Sequence, residues 1–506
     1  MKLVKIIVVF IFGTLLFACT KLDEKLRASL EVASSSVTAA GLLQSAYESM
    51  NVPFIDQSRF WAAQVHTTDE GIGPTRGPDW DDNGVWRVLH AHTWNADHGF
   101  LRDTYRELLQ VQFAATSVLD KSPTPQQAAE ARFIRALSIF AVLDGWNQVP
   151  YRADLTDLTK LPETLKGTAA ADFIISELNA ILTNLPDGPS IKANKDAARV
   201  LLMKTLLNKG VYANRQSPTF AAADMAQVVT LADQIINSGK YSFTANFFDT
   251  FAPDNYSNAS KDNELIFALE ATNGVRGCCN LNHWYCTLHY NQKPSGWNGF
   301  TTLSDFYDKY EATDKRRDDA YPGVTNVSGL RVGLLVGQQF DQNGVALKDR
   351  KGNNLSFTRA VKLKETGNDL EITGIRVIKY PPDYAKEFPS ENEYVIFRYA
   401  DVLLMKAEAL LRSGNAAGAL AIVNTVRTHP SRGVAALTSL SLDQLLDERG
   451  REFAWEGWRR NDLIRFGKFL NAWQEKAASG PERLLFAIPN EQLSVNPNLE
   501  QNPGYN

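Results

Sequence analysis

Two segments of this sequence mix aromatic rings with carboxylates, amides and arginines, outside any run of helical apolar spacing. The first is Asp69-Glu70 followed by Arg76-Gly77-Pro78-Asp79-Trp80-Asp81-Asp82-Asn83-Gly84-Val85-Trp86. The second runs from Cys278-Cys279 through His283-Trp284-Tyr285-Cys286 and His289-Tyr290 to Ser295-Gly296-Trp297-Asn298-Gly299. Aromatic planes offer apolar faces, while carboxylates, amides and guanidiniums offer directional donors and acceptors. That combination suits a ligand with C–H faces and many hydroxyls, which describes a saccharide. The candidate contacts are Asp69, Trp80, Trp86, Trp284, Tyr285 and Trp297, with Arg376 as a donor fork from a short strand. For Arg376 a plain surface arginine is the competing reading, and for Trp297 core and site readings stand level. Trp94 opens a helix and reads as a packing residue.

The cysteines and acidic loops raise further chemistry. Cys278, Cys279 and Cys286 cannot all pair internally, so one pair and one free thiol is the simplest arithmetic. A Cys278–Cys279 disulfide would form a rigid apolar turn able to meet a sugar face. A bridge from Cys286 to either neighbour is the other open pairing. A zinc site using the three thiolates with His283 or His289 is the lesser reading. Asp79, Asp81 and Asn83 match the opening half of a calcium loop, but the closing Glu is replaced by His90, so a solvated turn is the default. No cofactor is called for, and no GxSxG elbow, HExxH, P-loop or dinucleotide fingerprint occurs.

Helices must carry these loops. Apolar residues recur at three- and four-residue steps from Leu101 to Val118, Ala129 to Leu143, Phe173 to Leu185, Ala198 to Leu206 and Val228 to Ile236. Such antiparallel pairs have tetratricopeptide-like length without the strict consensus. Between about residues 241 and 395 Gly, Asn and Asp become dense, and short strands are expected at 264–269 and 375–380, with a hairpin turn at Asp341-Gln342-Asn343-Gly344. Helix returns at Tyr399–Leu411, Ala416–Val426 and Leu442–Trp455. The expectation is a mainly α fold, with helical parts at 40–240 and 396–506 flanking a loop-rich, partly β insertion at 241–395 that carries the ligand face.

The chain opens as a processing signal. Lys2 and Lys5 precede an apolar run from Ile6 to Phe17, too short to span a bilayer, which ends in Leu16-Phe17-Ala18-Cys19. This reads as a lipoprotein signal over residues 1–18, with Cys19 lipidated as the first residue of a body spanning 19–506. Asp23-Glu24 resembles a short surface-export signal. At 506 residues and 44% hydrophobic content there is ample core material, and a formal charge of −4 without a basic excess argues against nucleic acid as partner.

Three C-terminal stretches carry a resemblance. Arg398-Tyr399-Ala400-Asp401-Val402-Leu403-Leu404-Met405-Lys406-Ala407-Glu408-Ala409, the segment from Glu448-Arg449 through Glu452-Phe453, Glu456-Gly457 and Asp462-Leu463-Ile464-Arg465, and Gln501-Asn502-Pro503-Gly504-Tyr505 resemble the SusD/RagB family of nutrient-binding outer-membrane lipoproteins. Order, spacing and position agree. The resemblance implies a SusD-like fold and a lipid-anchored, palmitoylated surface protein of Bacteroidetes. It also implies capture of oligo- or polysaccharide, without catalysis, for delivery to a SusC-type TonB-dependent transporter. The vicinal cysteines lean the ligand toward fructan. RagB-like peptide capture, and a helical-repeat adaptor of the envelope, are the alternatives. The charged residues of the motifs alternate at helix-face spacings and read as ion pairs between helices. Glu452 and Glu456, one turn apart among arginines, would stay ionised and make a poor general acid.

Overall fold

A computed structural model describes residues 37–271, 283–367, 370–387 and 390–505. Cys19, Cys278 and Cys279 lie outside the described residues. The helices are α1 (Ala39–Ser49), α2 (Gly99–Leu119), α3 (Pro125–Trp146), α4 (Gly167–Ile181), α5 (Lys195–Ala213) and α6 (Ala222–Ile236), then α7 (Tyr399–Arg412), α8 (Ala416–Arg427), α9 (Leu442–Phe453) and α10 (Arg459–Arg465). Their starts are encoded locally. Thr124 and Gln127 form a reciprocal capping box with Pro125 in the first turn of α3, Ser441 and Gln444 do the same for α9, and Asn194 caps α5.

Each helix from α2 to α8 packs on the next. The chain therefore leaves the stack after α6, builds the loop-rich region, and resumes the stack at α7. The base of that excursion is closed by an antiparallel pair, β1 (Leu265–Leu269) with β4 (Tyr394–Arg398). Within it, β3 (Arg376–Ile378) pairs with β2 (Val332–Leu335). The fold is mainly helical with small sheets, as expected. The excursion also holds a one-turn helix, Ser304–Tyr307.

A buried charge network ties the excursion to α9. Arg398 meets Glu452 at 2.7 Å and Glu456 at 2.8 Å, Arg432 bridges Glu264 and Glu452, and Arg316 reaches Asp314, Glu448 and Glu452. Lys379 reaches Glu456 at 2.6 Å. Asp401, Glu408, Arg459 and Asp462 are likewise ion-paired, across helices or to a distant loop. Three surrounding guanidiniums overcome burial and hold the Glu452 carboxyl well below the ordinary range. These carboxylates are structural. The chain end is fastened too: the Asn502 amide donates to Trp146 and Phe486 carbonyls, and the Trp94 indole donates to the Tyr505 hydroxyl at 2.6 Å.

Candidate saccharide-binding face

The two aromatic segments meet. Ile72 and Thr301 exchange backbone hydrogen bonds, which lays the 72–86 loop beside the 284–300 turn. Residues 297–300 fold back onto that turn, with the Asn298, Gly299 and Phe300 amides donating to Leu288 and Cys286 carbonyls. Gly299 is obligatory here: a Cβ on it would lie 2.2 Å from the Trp80 ring, so only glycine lets the indole rest on the backbone. The Trp80 indole N–H donates to the Trp297 carbonyl at 3.0 Å. Trp297 itself stands 44% exposed. Its ring centroid is 6.4 Å from Trp80 and 5.7 Å from Tyr285, with interplanar angles of 42° and 32°. Trp80, Tyr285 and Trp297 thus form one platform of mutually tilted rings, with Trp297 the most open.

The other expected contacts are buried and serve that platform from beneath. Trp86, 3% exposed, packs against Phe100, Phe300 and His66, and its indole N–H donates to Asp82. Trp284, 1% exposed, stacks on Tyr285 at 3.9 Å and fixes that ring's tilt. Asp69 is buried because Arg459 grips both its oxygens at 2.7 Å. Arg376 is not a surface donor: it is fully buried and directed at the carbonyls of Thr373 and Glu371 and the side chain of Asn298. Arg76 works beside it, donating to the carbonyls of Gly299, Leu370 and Thr373. These two guanidiniums clamp residues 298–299 next to Trp297. Burial drops both their pKa values, Arg76 to about 10, and the like charge of Arg76 lowers that of Arg376 further.

Of the calcium-like positions, Asp81 is ion-paired with Arg87, while Asp79 is exposed. Among the described residues no group of three or more His, Cys, Asp or Glu is arranged to hold a metal ion. His283 stacks on Trp61 and bonds the Ile55 carbonyl, and His289 bonds Glu371, which takes both rings away from Cys286. Cys286 is a buried free thiol, and the two cysteines considered as its partners, Cys278 and Cys279, lie outside the described residues. A contact that sequence reasoning missed is Arg350, whose guanidinium lies 3.9 Å over the Tyr290 ring and pairs with Glu371. Its only sequence signal is the Asp349-Arg350-Lys351-Gly352 turn.

The SusD family model matches residues 237–483. The chain is 26% identical over 432 residues to the starch-binding protein SusD of Bacteroides thetaiotaomicron, covering 77% of this chain and 75% of that protein. The chain is similar to this SusD relative over about three quarters of its length. A second family member, the SusD-like protein P25 of Formosa agariphila, is 25% identical over 444 residues, covering 80% and 79%. A laminarin-binding SusD-like protein of known structure superposes with a TM-score of 0.70 at 20% identity, over 92% of this chain and 99% of that one. Surface glycan-binding protein A from Bacteroides uniformis gives 0.68 at 17% identity, over 92% and 98%. The residues matched by the family model include the charge network and Trp297, whereas Trp80 lies outside the matched span.

Proposed function

We propose that this chain is a cell-surface lipoprotein, anchored through Cys19 in the outer membrane. In this reading it captures an oligo- or polysaccharide and delivers it to a SusC-type TonB-dependent transporter. The observation that carries the reading is the exposed Trp297 plane flanked by Trp80 and Tyr285. A soluble protein rarely leaves an indole this open beside two further rings unless something stacks on it. Sugar C–H faces match those planes. Asp79 and Arg350, both near the Tyr290 ring, supply hydroxyl partners at the rim.

No catalysis is part of the proposal. The carboxylates that a glycosidase would need are spent in ion pairs, and the family relative SusD is named for binding starch. The fructan lean rests on Cys278 and Cys279 alone, while two relatives are named for starch and laminarin. Affinity electrophoresis in gels carrying starch, laminarin or inulin, with a random peptide library in parallel, tests the proposal. Retardation by at least one polysaccharide is expected. No retardation in any gel, with selection of tight peptides, would replace it with peptide capture.

A further inference from the structure

A second concave site lies on the helical scaffold and shares no residue with the Trp297 platform. Its walls are the loop from Asp187 to Asn194 before α5, Lys240-Tyr241 just after α6, and residues 256–265 leading into β1. The space is about 570 Å³, within the usual size of small-ligand pockets and enough for about two or three sugar rings. The Tyr241 ring is held by its hydroxyl, which donates to Asp196 at 3.1 Å, and by stacking on Tyr399. Tyr256 is half-buried and faces the same space.

The polar groups divide into two kinds. Asn194 is consumed: it caps α5 and donates to the carbonyls of Pro189, Lys192 and Ile266. The Lys240 charge is met by Asp187 and Asp196, so the cleft offers no free cation to attract an anion. Asp262, by contrast, forms no ion pair among the described residues, and burial raises its pKa. With Ser257 and Asn263 it leaves a carboxylate, a hydroxyl and an amide beside two phenol rings. Charge-compensated rims, aromatic planes and spare hydrogen-bonding groups describe a site for a neutral polyol.

We propose that this cleft is a second, independent saccharide site, which takes a short neutral oligosaccharide between Tyr241 and Tyr256 with Asp262 accepting from its hydroxyls. The inference rests on the saccharide-binding reading of the whole chain but not on the Trp297 platform. A chain with two such sites would hold a polymer at two points, raising its effective affinity without any new contact.

The test is calorimetric titration of maltotriose, laminaritriose and 1-kestose into the parent, Trp297→Ala, Tyr256→Ala, Asp262→Asn and the Trp297→Ala/Tyr256→Ala pair. Thermal melts verify that each variant is folded, and Asp262→Asn keeps the shape of the site. Trisaccharide binding should survive in Trp297→Ala, weaken at least fivefold in that background when Tyr256→Ala is added, and weaken also in Asp262→Asn. Surviving binding that is indifferent to Tyr256 and Asp262 would overturn the cleft. So would complete loss in Trp297→Ala with parental binding in Tyr256→Ala, a result that leaves the platform standing. Parental binding in Trp297→Ala with loss in Tyr256→Ala would instead support the cleft and overturn the platform.

Discussion

At the scale of residues, the site separates into rings that can meet a ligand and groups that aim them. Trp80, Tyr285 and Trp297 are reachable. Trp86, Trp284, Arg76 and Arg376 are buried and set ring positions. Arg376 is the sharpest case, because a planar fork satisfies three acceptors that a lysine cannot span. Arg376→Lys should therefore weaken polysaccharide binding several-fold and lower stability by about 2 kcal/mol, read from affinity gels and urea unfolding. The aromatic character of the site was legible from the composition of two loops. The division between exposed and buried rings was not. Trp86 looks solvent-bound beside Asp82-Asn83-Gly84, but its cover comes from Phe300, more than two hundred residues away. Arg376 misleads in the same way, since carbonyls of its own loop replace the carboxylate that a buried guanidinium usually requires.

At the scale of elements, helices 99–236 could be read from spacing because each buries one face against its chain neighbour. The excursion could not, since its strands are two to five residues long and are fixed by partners remote in sequence, as in Ile72 with Thr301 and β1 with β4. What joins excursion to scaffold is the charge network centred on Glu452, which serves Arg316, Arg398 and Arg432 at once. Removing one member strands the others in a low-dielectric interior. Glu452→Gln should cost about 3–5 kcal/mol of unfolding free energy, measured by chemical denaturation, while any folded fraction keeps parental glycan affinity. A change in affinity with unchanged stability would place Glu452 at the ligand instead.

At the scale of the whole molecule, the chain is held between about pH 3 and 7 by groups that acid disturbs. Burial depresses His90 to about 4 and His283 to about 3, and both are neutral in the folded protein at neutral pH. In the unfolded chain they titrate near 6.5, so proton uptake favours unfolding as pH falls from about 6.5 toward 4. Arginine neighbours hold Glu448 and Asp462 near 2, so their contribution is complete above their unfolded values and drains away below about pH 4.5. Glu70 acts in the opposite direction, because burial raises its pKa and it gains stability as pH drops. The former groups outnumber it, so the urea midpoint should fall continuously from about pH 6.5 to 3. The far end of the chain is closed by Tyr505 against Trp94. The central claim remains that an open aromatic platform binds glycan, and titration of the retained polysaccharide into Trp297→Ala tests it most directly. Loss of a stacking hot spot is worth about 2 kcal/mol, so affinity should fall about 30-fold with thermal stability unchanged. Parental affinity in a folded Trp297→Ala protein would contradict the assignment.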